Sequence, residues 1–259
     1  MTNACRTPSV PAVERAFWLL EQLAESKNGL SLSQLVESSQ LPKSSIHCLL
    51  LTLERGGYIQ RSPQTGRYTY SLKLFGLANA SVSGLPIREQ AAPLLVHLME
   101  RTGLTVHMGV LDKYEAVLIA KYNPPGSTGL ATWRGKRMAI HCTGLGKALG
   151  AYMSEEELKS LHRVRKLPRH NENTISSFRR LQEEFSRIRQ LSYALDDEED
   201  EVGWRCLGAP VFNEEGRPVA AVSVAGTTQM IHAENIPRLA ETLKSCTLAI
   251  SSAVGYSRN

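Results

Sequence analysis

From Ala12 to Lys27 the apolar residues Val13, Ala16, Phe17, Leu20, Leu23 and Ala24 recur with a period near 3.6, which predicts a helix stopped by Asn28-Gly29. Ser31-Leu32-Ser33-Gln34 reads as a capping box opening a short second helix that buries Leu32, Leu35 and Val36. After the polar turn Ser38-Ser39-Gln40, Pro42 suits the first position of a third helix, because its missing N–H has no partner there anyway. That helix runs to about Arg55, buries Ile46, Leu49, Leu50 and Leu53, and ends at Gly56-Gly57. Strand-like Tyr58–Arg61 and Arg67–Leu72 then flank a Pro/Gly turn, a hairpin. Helix, helix, turn, helix, hairpin is the layout of a winged helix-turn-helix.

Beyond residue 86 the pattern changes. Arg88–Arg101 is an amphipathic helix on Ala91, Leu94, Leu95, Leu98 and Met99. Leu104–Leu111 and Ala116–Tyr122 alternate like strands around Asp112-Lys113-Tyr114-Glu115, and Gly129–Trp133 reads as a further strand. Thr143–Tyr152, Ser154–Leu161, Ile175–Leu191 (capped by Thr174) and Ala233–Tyr256 read as helices, with strands at Arg205–Phe212 and Pro218–Ala225. Helices interspersed with antiparallel hairpins give an α+β domain. Between the two parts, residues 78–86 are small, uncharged and marked by Gly84 and Pro86, a boundary running into a connecting helix. The segments are thus a winged helix-turn-helix DNA-binding domain at 11–75, a linker at 76–86 and a larger α+β domain at 87–256.

Charge and composition sharpen this picture without deciding it. The net charge is +5, and residues 1–80 hold eight Lys/Arg against five Glu and no Asp, so the small domain is the more basic per residue. The five cysteines are far apart with no C-x-x-C, which argues against a disulfide framework or a zinc ribbon. No apolar run reaches 18 residues and Met1–Val13 lacks an apolar signal core, so a cytosolic location and no membrane partner are expected.

Lys43, Ser44, Ser45 and His47 begin the third helix on the face away from its apolar stripe. They offer a cation, hydroxyls and donors for phosphates and base edges, at the positive end of a helix. Arg61 and Arg67 straddle the wing tip. Together they point to double-stranded DNA; the alternatives are a solvated surface or a scaffold that contacts only protein. His141 beside Cys142, plus Cys206, invites a thiol-nucleophile or metal reading. Adjacent residues of a strand face opposite ways, no H-x-x-x-H follows, and cysteines among small apolar residues are ordinarily buried hydrophobes. No catalytic residue, metal or cofactor is therefore expected. Thr143-Gly144-Leu145-Gly146 opens a helix whose free N–H groups favour an anionic ligand such as a carboxylate.

The sequence resembles the IclR family of bacterial transcriptional regulators from Pro11 to about Tyr256. The likeness rests on Leu41-Pro42-Lys43-Ser44-Ser45-Ile46-His47, on Leu53-Glu54-Arg55-Gly56-Gly57-Tyr58 and on His141-Cys142-Thr143-Gly144-Leu145-Gly146-Lys147-Ala148-Leu149. It rests also on Tyr193–Glu199 followed by Gly203–Phe212. The resemblance implies a linker helix, a GAF-like effector-binding domain, and dimers that often pair into tetramers. Carried over residue by residue, Gly144 and Leu145 would give backbone N–H groups to a small organic acid, and Ser127, Leu130, Asp196, Trp204, Cys206, Ser223 and Ala225 would line the rest. Core packing is the plain alternative for Leu130, Cys206 and Ala225. Family members that bind very small acids have a serine where this chain has Ala225, a small residue at Leu145 and an aliphatic at Trp204. These departures favour an aromatic or otherwise less polar acid. A ligand-responsive regulator on a pseudo-palindromic operator is the expectation; an enzyme fused to a helix-turn-helix is the alternative.

Overall fold

A computed structural model describes residues 9–26, 28–83, 86–127, 130–164 and 166–256. The chain divides into two units, Met1–Gly84 and Leu85–Asn259.

In the first unit, α1 (Pro11–Ala24), α2 (Leu32–Glu37) and α3 (Lys43–Arg55) precede a hairpin of β1 (Ile59–Arg61) and β2 (Tyr68–Tyr70), then α4 (Leu72–Ser83). The capping box is present: Ser31 Oγ accepts from Gln34 N, and Gln34 Oε1 accepts from Ser31 N at 3.0 Å. Leu19, Leu23, Leu35, Ile46, Leu50, Ile59 and Tyr68 form the core. The stripe expected on α1 is only partly right, because Leu19 and Leu23 face the core while Val13 and Phe17 are exposed. Pro42 is the N-cap of α3 rather than its first residue. Leu30 bridges Tyr68 and extends the hairpin sheet at its edge. At Gly29 (φ +71°) a Cβ would strike the Tyr68 carbonyl, so this turn accepts no side chain. The stretch 76–86 is largely helical, as α4; residues 84–85 lie outside the described chain.

The second unit contains α5 (Pro86–Thr102), β3 (Thr105–Asp112), β4 (Glu115–Tyr122), β5 (Arg137–Ala139), α6 (Gly144–Gly150), α7 (Glu155–Val164) and α8 (Phe178–Leu191). It continues with β6 (Ala194–Asp197), β7 (Trp204–Phe212), β8 (Pro218–Thr227) and α9 (Ile236–Ala253). The strands form one antiparallel sheet in the order β5-β4-β3-β8-β7-β6, so the fold is α+β. Both predicted hairpins are present.

Three expectations fail here. The strand expected over 129–133 is absent from its described residues 130–133; the neighbouring strand is β5, and residues 128–129 lie outside the described chain. The helix expected from Ile175 starts at Phe178 with Ser177 as N-cap, because the Thr174 hydroxyl is taken by the Glu199 carbonyl at 2.7 Å. The last helix is shorter at both ends than 233–256.

Candidate functional site

In the first unit, Lys43, Ser44 and His47 are exposed at the start of α3, Ser45 is half-buried, and no side chain caps the helix. The Ser45 amide is taken by the Pro42 carbonyl at 3.0 Å, so the amides of Lys43 and Ser44 are the ones at this helix end that could receive phosphate. Arg61 is exposed and donates to the Gly66 carbonyl at 3.3 Å, with its guanidinium 5.7 Å from the Tyr68 ring centre. Arg67 differs: it is half-buried, and Nη1 donates to the Gly29 carbonyl at 2.8 Å. It ties the wing to the turn between α1 and α2.

In the second unit the sheet collects most of the residues carried over for the ligand. Direct cross-strand partners share a face. Asp196 pairs with Cys206, Cys206 with Ala225, and Gly208 with Ser223. The same registers add Thr105, opposite Ala225, and His107, opposite Ser223. Trp204, two residues before Cys206, lies half-buried at the end of this face.

Helix α6 lies on it. A Cβ on Gly208 would collide with the Gly144 carbonyl, and one on Gly109 would come within 2.7 Å of Leu145 Cδ2. Glycine on the sheet is what lets the helix approach so closely. Thr143 caps α6 by accepting from Gly146 N at 3.0 Å. Leu130 is half-buried on the loop between β4 and β5, where its carbonyl accepts from Lys121 Nζ at 2.9 Å. Ser127 is exposed, with its amide on the Pro124 carbonyl, and no hydrogen bond described brings it to the sheet face.

The polar groups on this face are strongly perturbed. Burial, the largest cause, pushes Asp196 up to about 7, although its Oδ1 accepts from Glu199 N at 2.9 Å. His107 is fully buried, and burial with the charges of Lys121 and Lys136 pushes it down to about 3, so the ring is neutral. Its Nε2 lies 2.8 Å from Thr132 Oγ1, while its Nδ1 is buried with no hydrogen-bond partner. Sequence reading missed His107, since one histidine in a strand carries no signal until the register sets it beside Ser223.

The Cys142 and Cys206 thiols are both pushed far up, chiefly by burial and then by nearby carboxylates. Neither is a ready thiolate nucleophile.

Lys147 was also missed. Its side chain is wholly enclosed, with Nζ 2.5 Å from Glu199 Oε1, 3.2 Å from Glu184 Oε1 and bonded to the Leu195 carbonyl. Leu-Gly-Lys-Ala-Leu-Gly held the clue, because a lysine amid apolar helix neighbours needs a buried carboxylate. Within the acidic stretch Asp197–Glu201, Glu199 is buried against Lys147. Nor are His141 and Cys142 on a strand. They occupy a turn before α6, so the opposite-faces argument does not apply to them.

Two family profiles match the chain: the IclR helix-turn-helix domain over residues 12–63, and the C-terminal domain of bacterial transcriptional regulator IclR over 79–252. HTH-type transcriptional regulator XynR of Escherichia coli K12 is 34% identical over 249 residues, 96% of this chain and 99% of its own length. Transcriptional repressor IclR of the same organism is 29% identical over 260 residues, covering 100% of this chain and 95% of its own. The crystal structure of Thermotoga maritima IclR matches with a TM-score of 0.76 at 32% identity, covering 94% of this chain and 98% of that one. An IclR homologue from Microbacterium hydrocarbonoxydans, complexed with 4-hydroxybenzoate, shares the fold at TM-score 0.80 and 18% identity, covering 94% and 98%. With both units matched in order and a relative aligned almost end to end, the chain belongs to the IclR family of bacterial transcriptional regulators.

Proposed function

We propose that this regulator binds a pseudo-palindromic operator in double-stranded DNA as a dimer or tetramer, and that a small organic acid in the second unit controls the binding. The observation that carries the DNA reading is the uncapped start of α3 with Lys43, Ser44 and His47 exposed on it. In the groove, His47 and Ser45 would face base edges, while Lys43 and Ser44 would meet phosphate. Arg61 would meet the backbone from the wing, and Arg67 would chiefly hold the wing in position. The exposed apolar residues Val13 and Phe17 on α1, and Leu72 and Phe75 on α4, support self-association.

The acid would lie at the end of this sheet face beside the start of α6, with Gly144 and Leu145 donating to its carboxylate. Asp196, Cys206, Ser223, Ala225, Leu130 and Trp204 would surround it, and Ser127 would close the loop side. His107 Nδ1 adds a polar contact for a hydroxyl or carboxylate. Leu145, Trp204 and Ala225 present apolar surface, which suits an aromatic acid; the Microbacterium homologue is complexed with a molecule of that class. Ligand changes operator affinity only by binding one arrangement of the protein better than another. Neither cysteine of the second unit's sheet and turn is poised for catalysis, and we infer no enzymatic step.

The test is calorimetric titration of the purified protein with aromatic acids and with glyoxylate and pyruvate. Tighter binding of an aromatic acid, weakened in Ser223→Ala and Trp204→Ala, is expected. Preference for glyoxylate or pyruvate would overturn the aromatic assignment.

A further inference from the structure

Beside the ligand face, three side chains that the regulator reading does not use converge. One imidazole nitrogen of His141, one of His170 and Cys142 Sγ all lie within 4.8 Å of one another. His141 and Cys142 are buried and His170 is exposed, so the group opens to solvent on one side. A carboxylate is already at hand: Cys142 Sγ lies 3.7 Å from Asp200 Oδ1.

The surroundings prepare these groups for a cation. His141 Nε2 is 2.9 Å from the Pro168 carbonyl, which only accepts, so the proton of the neutral ring sits on Nε2 and Nδ1 keeps its lone pair. An N–H held by a backbone carbonyl is the usual support of a metal-ligating histidine. The loop bearing His170 is pinned to the loop bearing Asp200. Asn171 Nδ2 donates to the carbonyls of Glu198 and Glu199 at 2.9 and 3.2 Å, and Thr174 Oγ1 to that of Glu199 at 2.7 Å. The His170 loop and the turn before α6 thus bring three donors within 4.8 Å of one another, and the Asp200 loop holds a carboxylate beside Cys142.

We propose that His141, Cys142 and His170, closed by Asp200, form a binding site for a divalent transition-metal cation of the Zn2+ type. Two imidazoles, a thiolate and a carboxylate make a tetrahedral set suited to Zn2+ and not to the oxygen-seeking Mg2+ or Ca2+. The three atoms of His141, Cys142 and His170 must close by about an ångström to reach tetrahedral spacing, through movement of the exposed His170 side chain. Coordination converts the Cys142 thiol to thiolate and releases its proton to solvent. This inference rests on the second unit alone and does not depend on the operator or the acid.

The test uses the full chain, stripped by a chelator and titrated with Co2+ as a spectroscopic stand-in, followed by competition with Zn2+. One Co2+ per chain is expected, with the intense visible bands of tetrahedral cobalt and a thiolate charge-transfer band in the near ultraviolet, both abolished by Zn2+. Cys142→Ser should lose the charge-transfer band. His170→Ala should weaken binding tenfold or more, and because that side chain is exposed the variant keeps its fold by circular dichroism. Weak octahedral cobalt without charge transfer, or binding by His170→Ala equal to that of the unaltered chain, would overturn the proposal even if Cys142→Ser failed to fold.

Discussion

Replacing Lys147 with methionine keeps an unbranched apolar stem, one heavy atom shorter, and removes the charge. Nζ is the partner of Glu199 Oε1, Glu184 Oε1 and the Leu195 carbonyl, all in the enclosed space beneath α6. Glu199 is only 8% exposed and its Oε2 has no partner even with the lysine in place. Breaking a buried pair from one side leaves such a charge uncompensated and costs about 3–5 kcal/mol. Each kcal/mol lowers Tm by roughly 2–4 °C in a unit of this size, so the loss is on the order of 6–20 °C.

Acid should soften that penalty. Burial, the largest cause, already holds Glu199 above its ordinary value despite Lys147, and removing the lysine raises it further. The fold then favours the protonated carboxyl, a contribution present at low pH and lost as pH rises. Glu184 behaves oppositely: burial opposes its ionisation, yet bonds and charges from Arg187 and Lys147 hold it low, and Arg187 remains in the variant. Calorimetric scans of both proteins near pH 8 and near pH 5.5 would measure the gap in the transition of the larger unit. A shift under about 2 °C, or a gap that widens on acidification, would refute this reasoning.

Asp196 also stands above its ordinary value, so its contribution is greatest in acid, falls as pH climbs toward about 7, and is flat beyond. Asp196→Asn should therefore stabilise the protein near pH 8 by up to about 4 kcal/mol and flatten the profile of Tm against pH; a variant less stable than the parent there would contradict it. Lys43→Ala should weaken DNA binding across all sequences and reduce the salt slope by about 1, read from titrations at several salt concentrations. His47→Ala should instead change base preference in a selection from random duplexes, and unchanged operator binding by both variants would remove α3 from the groove. Ala225→Ser restores a hydroxyl beside Cys206 and should shift the ligand preference toward smaller, more polar acids, measured by calorimetry.

Local chemistry made much of the fold readable from the chain. The Ser31–Gln34 capping box, the Ile46/Leu50 stripe of α3 and the turn at Lys113 are written in neighbouring residues, and they are present as expected. What escaped is set by distant partners. The edge strands β5 and β6 are short, and only pairing with Glu115–Val117 and Arg205–Gly208 makes them strands. Thr174 looked like a helix cap because nothing near it reveals Glu199 as its partner. The same holds at the proposed ligand face. Asp196, Cys206, Ser223 and Ala225 were carried by the family resemblance, whereas His107 joins them only through the β3–β8 register. The convergence of His141, Cys142 and His170 required a turn where a strand had been assumed.

The central claim is that a small acid in the second unit controls operator binding by the first. Its most direct test is binding of the purified protein to the intergenic DNA beside its own gene, at several salt concentrations, with and without aliphatic and aromatic acids. The account predicts specific binding that weakens steeply with salt and shifts with an aromatic acid. Binding no tighter than to random duplex at every salt concentration, or specific binding that no acid in the panel alters, would contradict it.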